Sequence, residues 1–279
     1  MAPRSLVGLP IFAAMFAGKV IWITGASSGI GEELAYQLAA RKARLILSAR
    51  RSSELERVRE QCRLHTPDVA ILPLDLLENA SLPAFAQQAE ALFGRIDIII
   101  NSGGISQRDT MLNTIPEAEA RIMQINFTSA VTLTRAVLPG MIARGEGRIV
   151  LMSSVAGKIG VPNRTTYCAS KHALIGYFDA LRAELAVAKH PIHLHIMVPG
   201  FIRTNISLHA MRGDGLPQGV MDPGQDKGMP VEKCVQKMIR GMEKNKKEML
   251  IGGKEILMTW FRRFIPGLYY YLITRVATK

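Results

Sequence analysis

A tyrosine and a lysine four residues apart, Tyr167 and Lys171, are the strongest candidates for chemistry in this chain. At this spacing two side chains share one face of a helix, so the ammonium of Lys171 can reach the phenol of Tyr167. An unperturbed tyrosine titrates near pH ~10 and exchanges protons poorly at neutral pH, whereas a neighbouring cation stabilises the phenolate. The pair therefore predicts a tyrosine acid/base catalyst whose pKa Lys171 lowers.

Two more polar residues precede this pair at positions where they need a function or a partner. Ser154 follows the apolar segment 147–152, which is typical of a buried strand that runs into a turn of small residues. Asn126 lies in an apolar helical segment, 124–127, where a buried amide requires hydrogen-bond partners. No Gly-x-Ser-x-Gly elbow surrounds Ser154, which argues against a serine hydrolase.

A glycine-rich segment, residues 24–31, follows an apolar run and precedes a helical pattern. Gly25 permits a tight turn from strand to helix, Gly29 lets the backbone approach a pyrophosphate, and Gly31 lets the helix pack on the strand. The N terminus of that helix then faces the anion. The spacing Gly-x-x-x-Gly-x-Gly differs from the better-known Gly-x-Gly-x-x-Gly, so the context between strand and helix carries the prediction of a dinucleotide site.

Taken in order, these residues together with segments 101–104 and 199–204 resemble the short-chain dehydrogenase/reductase family. The resemblance covers the chain from about residue 18 to about residue 250. Within the family, the sequence is similar to the branch called family member 7 in segments 31–38, 47–51, 54–58 and 167–174. Ser102 and Gly103 stand where the family usually has a second Asn and an Ala. Because both residues are small, room for a cofactor is expected to remain.

The resemblance implies hydride transfer between a nicotinamide and a carbonyl carbon. It makes Tyr167 the proton donor, Ser154 a hydrogen-bonding partner of the same carbonyl oxygen, and Lys171 a ligand of the nicotinamide ribose. Asn126 would hold a water that links Lys171 to solvent. The implied cofactor contacts are Gly25, Ser27, Ser28, Gly29, Ile30, Gly31, Arg50, Arg51, Asp75, Leu76, Asn101, Gly103, Tyr167, Lys171, Pro199, Gly200, Ile202 and Thr204.

Within this set, Asp75 and Leu76 are expected at the adenine, Asn101 at the adenosine ribose and Thr204 at the carboxamide. A cap near a helix N terminus is the alternative for Asp75. The residues after the second predicted strand, 48–51, contain no carboxylate to hold the ribose hydroxyls of NAD, whereas a 2′-phosphate needs a cation. Arg50, with Arg51 or Ser27, can form charge-assisted bonds to that phosphate. NADP(H) is therefore expected, and NAD(H) is the less favoured cofactor.

Alternating strand and helix patterns must position these residues. They predict an α/β protein with a single doubly wound Rossmann domain over residues 18–253, whose seven-stranded parallel sheet carries helices on both faces. Ligands then bind outside the carboxyl ends of the strands. The predicted strands are 20–24, 44–48, 70–74, 96–101, 147–152, 192–198 and 248–251, and the predicted helices are 30–41, 54–64, 83–93, 117–143, 167–189 and 231–243.

The long segment 201–229 is rich in glycine and is expected to be a substrate loop, with a turn at 222–226. Its apolar side chains favour a lipid, retinoid, steroid or acyl carbonyl substrate over a sugar. We expect this pocket to be lined by Ile206, Leu208, Met211, Leu216, Val220 and Met221.

Cysteines and histidines supply no further site. Cys62, Cys168 and Cys234 lack metal-ligand spacing and predict reduced thiols in the cytoplasm. His193 and His195 share one face of a predicted strand, but no acidic or cysteine partner is close in sequence. Ordinary packing is therefore expected for them, and no metal.

Both ends of the chain lie outside the resemblance. Residues 1–17 form an apolar extension too short to span a bilayer, with a signal peptide as an alternative. Residues 254–279 mix aromatic residues with Arg, which is typical of a peripheral membrane surface. Packing on the body or at an oligomer interface, in a homodimer or homotetramer, is the alternative. The net charge of +12 favours an anionic partner such as a membrane or an acyl-thioester carrier, and nucleic acid is not expected.

Two classes of function remain open. The first is an NADPH-dependent reductase that interconverts a carbonyl and a secondary or primary alcohol. The second is a regulator or scaffold that binds NADPH without turnover. The set Asn126, Ser154, Tyr167 and Lys171 favours the enzyme, because a scaffold needs only the glycine-rich segment.

Overall fold

A seven-stranded parallel sheet forms the centre of the computed structural model, which describes residues 15–276. The strand order is β3-β2-β1-β4-β5-β6-β7. The order reverses between β1 and β4, and this switch opens a crevice at the carboxyl edge where ligands bind in such sheets. The strands are β1 (Val20–Thr24), β2 (Arg44–Ser48), β3 (Val69–Ile71), β4 (Ile98–Asn101), β5 (Gly147–Met152), β6 (Ile192–Pro199) and β7 (Glu248–Ile251).

Helices cover both faces of the sheet, which confirms the predicted fold class. Because successive strand residues point to opposite faces, Ile21 and Ile23 lie in one buried cluster while Val20 and Trp22 lie in the other. The helices are α1 (Gly29–Ala39), α2 (Ser52–Arg63), α3 (Leu82–Phe93), α4 (Pro116–Met123), α5 (Ser129–Arg144), α6 (Thr165–Val187), α7 (Pro223–Asp226), α8 (Val231–Glu243), α9 (Leu257–Phe264) and α10 (Pro266–Val276).

Several element boundaries differ from the sequence-based prediction. The predicted helix 117–143 is interrupted by a π-helical turn, Gln124–Thr128, which separates α4 from α5. Such turns are frequent at functional sites, and here the turn carries Asn126. Strand β3 ends at Ile71 rather than at residue 74, and Pro73 lacks the N–H that a strand would donate. The predicted turn at 222–226 contains the short helix α7. Asp222 caps the N terminus of this helix by accepting a hydrogen bond from Gly224 N at 3.1 Å.

The two last helices, α9 and α10, form a C-terminal helix pair that packs against the sheet domain. Met258, Phe261 and Ile273 border one buried cluster, and the hydroxyl of Tyr269 donates to the carbonyl oxygen of Gly160 at 2.9 Å. Among residues 15–276, no helix is both long and apolar enough to cross a membrane. The predicted extension 1–17 lies mostly outside the described residues, as do positions 277–279 of the predicted C-terminal segment.

Candidate active site

The glycine-rich segment between β1 and α1 adopts a conformation that only glycines allow. Gly25 and Gly29 have φ angles of 69° and 59°, in the left-handed region. A methyl group on Gly25 would lie 2.7 Å from the Cα atom of Gly103, and one on Gly31 would overlap the carbonyl oxygen of Gly25. The three glycines therefore let the β1–α1 turn, the end of β4 and the start of α1 meet. The turn brings a helix N terminus to the crevice, where backbone N–H groups favour an anion.

Other residues predicted to contact the cofactor lie around the glycine-rich segment. A methyl group on Gly29 would lie 3.3 Å from Cγ2 of Thr204, which places Thr204 beside the glycine-rich turn. The side chain of Leu76 fills the space where Gly103 lacks a Cβ atom. Asp75 accepts a hydrogen bond from the backbone N–H of Leu77 at 3.0 Å. This local bond closes a turn, and the next helical turn, Asn79–Ser81, has Glu78 as its N-cap. Asp75 also lines the cavity described below.

Two arginines follow β2 at the rim of the crevice. Arg50 and Arg51 both line the cavity and are exposed. Within the part of the chain that the structure describes, neither guanidinium has a hydrogen-bond or ion-pair partner. Their charge is therefore available to an anionic group at the end of β2, the position that discriminates between the two dinucleotides.

Tyr167 and Ser154 lie together in the wall of the same cavity. Tyr167 is 7% exposed. Burial raises the pKa of its phenol, and a side-chain hydrogen bond with Ser154 and the charge of Arg164 oppose that rise. Ser154 is the N-cap of the short turn after β5, where its hydroxyl accepts from Ala156 N at 3.2 Å. The phenol is therefore held in its protonated form at neutral pH, next to a second hydroxyl.

The sequence predicted that Lys171 lowers the pKa of Tyr167, and the structure does not agree with that prediction. The ammonium of Lys171 donates to the carbonyl oxygen of Met152 at 2.8 Å and lies 5.7 Å from the centre of the Tyr167 ring. Burial lowers the pKa of Lys171 to about 8. The pKa of Tyr167 is raised rather than lowered, because desolvation of the phenolate is the larger effect and the cation that opposes it is Arg164.

Asn126 is fixed by hydrogen bonds beside Lys171. Its Oδ1 atom accepts from Ile105 N at 2.8 Å, and its Nδ2 atom donates to Ile105 O at 2.9 Å and to Ser170 Oγ at 3.0 Å. A methyl group on Gly104 would lie 3.1 Å from Asn126 Oδ1 and 3.3 Å from Lys171 Nζ. The two side chains thus converge on the backbone at Gly104. This arrangement satisfies the buried amide, as the sequence required.

One cavity of about 620 Å³ gathers these elements along the carboxyl edge of the sheet. Of the predicted site residues, all but Asn101 and Asn126 line it. Asn101 is buried, and its Nδ2 atom donates to Thr134 Oγ1 at 3.3 Å. The cavity is lined at one end by the glycine-rich segment, Arg50 and Arg51, and at the other by parts of the substrate loop.

The substrate loop, residues 201–229, contributes only part of its predicted apolar lining. Ile206, Met211 and Leu216 line the cavity. The cavity lining does not include Leu208, Val220 or Met221. Val220 is 62% exposed, and the sulfur of Met221 accepts from the hydroxyl of Ser207 at 3.1 Å, so the prediction was wrong for these positions. The loop folds back on itself after Met211, which separates residues that the sequence places in one stretch.

Among the cavity residues that escaped the sequence analysis are Arg121, Arg164, Glu255, Met258 and Ile273. Arg164 precedes Tyr167 by one helical turn, and that spacing is the signal that could have identified it. The buried Nε atom of Arg121 has no partner among the described residues. The last three come from the C-terminal segment. The carboxylate of Glu255 accepts from Phe201 N and from Gly253 N, both at 2.9 Å, a contact that no local pattern indicates.

Of the two histidines of β6, His195 is buried in the fold, whereas His193 is exposed. His195 is 1% exposed, and its Nδ1 and Nε2 atoms lie 2.7 Å from Lys246 O and 3.0 Å from a guanidinium nitrogen of Arg148. Burial lowers the pKa of His195 to about 4. Both ring nitrogens are therefore engaged by the fold. Across residues 15–276, no group of three or more His, Cys, Asp or Glu side chains is arranged to hold a metal ion.

Comparison with known protein families gives a match over most of the chain. Residues 19–213 match the model of the short chain dehydrogenase family. A Drosophila melanogaster protein named dehydrogenase/reductase SDR family protein 7-like is 38% identical over 273 residues, which are 96% of this chain and 83% of the relative. The human dehydrogenase/reductase SDR family member 7 is 39% identical over 265 residues, covering 93% and 78% of the two chains. The resemblance inferred from the motifs is thereby confirmed.

Solved structures share the fold. A short chain dehydrogenase/reductase from Burkholderia phymatum in complex with NAD superposes with a TM-score of 0.81 at 22% identity, covering 91% of this chain and 95% of that one. A short-chain dehydrogenase from Sphingobium yanoikuyae in complex with NADPH gives a TM-score of 0.74 at 26% identity, covering 92% and 95%. Proteins of this fold therefore bind either dinucleotide, and the choice depends on local residues.

Proposed function

The chain belongs to the short-chain dehydrogenase/reductase family of dinucleotide-binding oxidoreductases, and on that premise we propose that it is an NADP(H)-dependent carbonyl reductase or alcohol dehydrogenase. It interconverts a carbonyl and a secondary or primary alcohol on an apolar substrate. The observation that carries the proposal is that Tyr167 and Ser154 line the same cavity as the glycine-rich segment. A binding module has no need of two hydroxyls at that position.

The residues present fit a nicotinamide dinucleotide. The glycine-rich turn at Gly25, Gly29 and Gly31 leaves space that Cβ atoms would fill, and it directs backbone N–H groups toward a pyrophosphate. Lys171 would hold ribose hydroxyls, and Thr204, beside Gly29, would hold the carboxamide. When bound, the cofactor supplies or accepts the hydride.

The protein's part in the reaction is proton transfer and orientation. Ser154 and Tyr167 hydrogen-bond the carbonyl oxygen of the substrate, and in reduction the phenol of Tyr167 gives its proton to that oxygen. Because burial raises the pKa of Tyr167, the resting side chain carries the proton that reduction consumes. Asn126, which converges with Lys171 at Gly104, would hold the water through which a proton returns to the site.

Preference for NADP(H) over NAD(H) rests on Arg50 and Arg51. Both line the cavity after β2, where the sequence offers no carboxylate. A 2′-phosphate gives two unpaired guanidinium groups a charge-assisted partner, whereas a ribose hydroxyl pair does not. We place the adenine beside Asp75 and Leu76, which line the same end of the cavity.

The substrate is proposed to be a lipid, retinoid, steroid or acyl carbonyl. Ile206, Met211 and Leu216 of the loop, with Met258 and Ile273 of the C-terminal helix pair, give the other end of the cavity an apolar lining. Burial of apolar area then drives binding, with Ser154 and Tyr167 as the few polar groups that orient the carbonyl.

The test is oxidation of NADPH and of NADH by purified protein across a panel of apolar ketones, aldehydes and acyl substrates. We expect NADPH oxidation that Tyr167→Phe reduces by a factor of about 10² to 10⁴. Binding of NADPH without turnover by the parent protein, or equal turnover by Tyr167→Phe, would favour the alternative of a regulator or scaffold.

We further propose that the C-terminal helix pair contacts the surface of an anionic membrane. The outer side of the pair exposes large apolar and aromatic side chains between cationic ones, Arg262 and Arg263, a composition that suits the headgroup region. The net charge of +12 acts in the same direction. The exposed side chains are Leu257, Trp260, Phe264, Ile265, Leu268, Tyr270 and Tyr271.

Co-sedimentation with phosphatidylserine and phosphatidylcholine vesicles tests this contact. We expect binding to the anionic vesicles, and a loss of about tenfold or more in the double variant Trp260→Ser, Phe264→Ser. Leu112→Ser, which changes another strongly exposed apolar residue, is the matched control. Unchanged binding of the double variant would refute the contact. A cytoplasmic location and a homodimer or homotetramer complete the proposal.

A further inference from the structure

One carboxylate in the substrate loop joins three segments around the cavity. Asp222 precedes α7, and its Oδ2 atom forms ion pairs with Arg164 at 2.6 Å and with Arg108. Arg108 belongs to the loop after β4, and Arg164 is the N-cap of α6, the helix that carries Tyr167. The contact therefore ties the loop after β6 to the start of the catalytic helix.

These three charged side chains are largely shielded from solvent. The side chains of Asp222, Arg164 and Arg108 are 11%, 13% and 24% exposed. The remaining Asp222 oxygen accepts from Gly224 N at 3.1 Å. An ion pair with this burial is strongly coupled, and removal of one partner leaves an uncompensated charge. An exposed pair in the same loop, Arg212 with Asp214, offers a contrast at 52% and 43% exposure.

Arg164 and Tyr167 both lie at the start of α6 and line the cavity. Arg164 precedes Tyr167 by one helical turn, and its positive charge favours the phenolate. Asp222 partly neutralises that charge. The charge of Asp222 therefore affects the titration of Tyr167 through the guanidinium of Arg164.

Other charged and titratable groups lie near Tyr167. Lys171 and Cys168 lie on the same helix. From α4, Glu119 accepts a hydrogen bond from the hydroxyl of Thr166 at 2.8 Å, and Arg121 lines the cavity. From the loop after β4, the neutral side chain of Gln107 accepts from the backbone N–H of Tyr167 at 3.1 Å. From the substrate loop, His209 lines the cavity, and Asp222 is the loop carboxylate that pairs with Arg164.

We propose that Asp222 is a positioning residue that fastens the substrate loop to Arg164 and, by pairing with that guanidinium, sets the positive charge around the Tyr167 phenol. The inference rests on the proposed function for the role of Tyr167 as the proton donor. Its consequence is an electrostatic coupling between the substrate loop and the proton donor, Tyr167.

The two partners of this ion pair must have opposite effects. Asp222→Asn leaves Arg164 without its neutralising charge, which stabilises the phenolate and moves the titration of Tyr167 to lower pH. Arg164→Gln removes the cation itself and moves that titration to higher pH. We expect shifts of about 0.5 pH units or more in each direction. In the reductase assay, the loss of activity at alkaline pH moves with the titration, since reduction requires the protonated phenol.

The measurement is a spectroscopic titration of tyrosinate absorbance, taken as the difference between each protein and the same protein carrying Tyr167→Phe. Asp214→Asn, in the same loop, is the control and should leave the titration unchanged. Because Arg108→Gln keeps the pair of Asp222 with Arg164, it is a milder variant and should give a smaller shift, to higher pH. Circular dichroism verifies that each variant is folded.

Opposite shifts for Asp222→Asn and Arg164→Gln would support the coupling. Shifts in the same direction, or no shift in either folded variant, would overturn it. The titration needs no turnover, so its outcome is separate from that of the NADPH oxidation assay. A protein that fails as a reductase can still pass or fail this test.

Discussion

The two ends of the cavity are built by different means. At the nucleotide end, the backbone itself makes the site: three glycines let two turns and a helix N terminus meet, and Arg50 and Arg51 stay unpaired within the described chain. At the substrate end, side chains from distant segments make the wall, as in the contacts of Asp222 with Arg164 and of Glu255 with Phe201. The first end is therefore determined by backbone geometry, whereas the second is determined by tertiary contacts between side chains.

This difference predicts where substitutions will act. At the nucleotide end, added volume is harmful and a removed cation weakens binding. At the substrate end, a broken side-chain contact should change the loop and the C-terminal helix pair while the dinucleotide still binds. Lys171 lines the same cavity, and burial lowers its pKa.

The largest expected effect is that of Gly31→Ala at the nucleotide end. Its methyl group would overlap the carbonyl oxygen of Gly25, which is backbone and cannot move aside without distorting the turn. We expect the free energy of unfolding to fall by about 3 kcal/mol, with loss of NADPH binding, as measured by chemical denaturation and by fluorescence titration.

The matched control for this change is Gly176→Ala. Gly176 lies exposed in α6, and no atom lies within 4 Å of the position that the added methyl group would occupy. Alanine there should stabilise the helix by about 0.5–1 kcal/mol. Equal behaviour of the two variants would show that close backbone approach at Gly31 is unimportant.

Lys171 gives the next largest effect, as a dependence of stability on pH. Burial lowers its pKa from 10.5 to about 8. Between these values the unfolded chain holds a proton that the folded chain has released, so this group makes the free energy of unfolding rise with pH. Relative to Lys171→Met, the parent protein should gain up to about 3 kcal/mol between pH ~8 and pH ~10.5. Denaturation of both proteins across this range measures it, and a constant difference would contradict the burial of the ammonium.

Replacement of both Arg50 and Arg51 by Ala should separate the two dinucleotides. The loss of charge-assisted contacts to the 2′-phosphate is expected to weaken NADPH binding by a factor of about 10 to 100 and to leave NADH binding unchanged. Isothermal titration with each dinucleotide measures the effect. Arg63→Ala, at the end of α2, is the control. An equal loss of NADH binding would show that Arg50 and Arg51 do not recognise the 2′-phosphate.

The smallest effect tests the attachment of the C-terminal helix pair. Tyr269→Phe removes the hydrogen bond to the carbonyl oxygen of Gly160 and should cost about 1 kcal/mol of unfolding free energy. Tyr270→Phe changes a neighbour that is 62% exposed and should have no effect on thermal denaturation. A similar loss in both variants would show that the bond does not hold α10 in place.

The same contrast explains what the sequence could predict. Strands β1, β2, β5 and β7 and helix α8 have the predicted bounds because apolar periodicity and local breakers determine them. The glycine-rich segment and the pair Tyr167 with Lys171 were identified because each is defined by the spacing of residues along a short segment. Sequence could not predict the paired state of Arg164 or the reach of Glu255, since their partners lie 58 and 54 residues away.

Two errors have the same origin. The direction of the pKa of Tyr167 depends on how deeply the phenol is buried and on where the Lys171 ammonium points, and spacing along a helix specifies neither. The apolar residues of the substrate loop were treated as one lining, although the loop folds back after Met211 and leaves Val220 exposed. Both features are determined by tertiary contacts.

The most direct test of the central claim follows a deuterium atom. NADPH that carries deuterium at both C4 positions is supplied with an apolar ketone, and the alcohol product is analysed by mass spectrometry. Hydride transfer at this site predicts deuterium on the carbinol carbon of the product, formed by the parent protein and lost with Tyr167→Phe. Oxidation of NADPH without deuterium in the product, or undiminished transfer by Tyr167→Phe, would contradict the assignment of Tyr167 as the proton donor of a reductase.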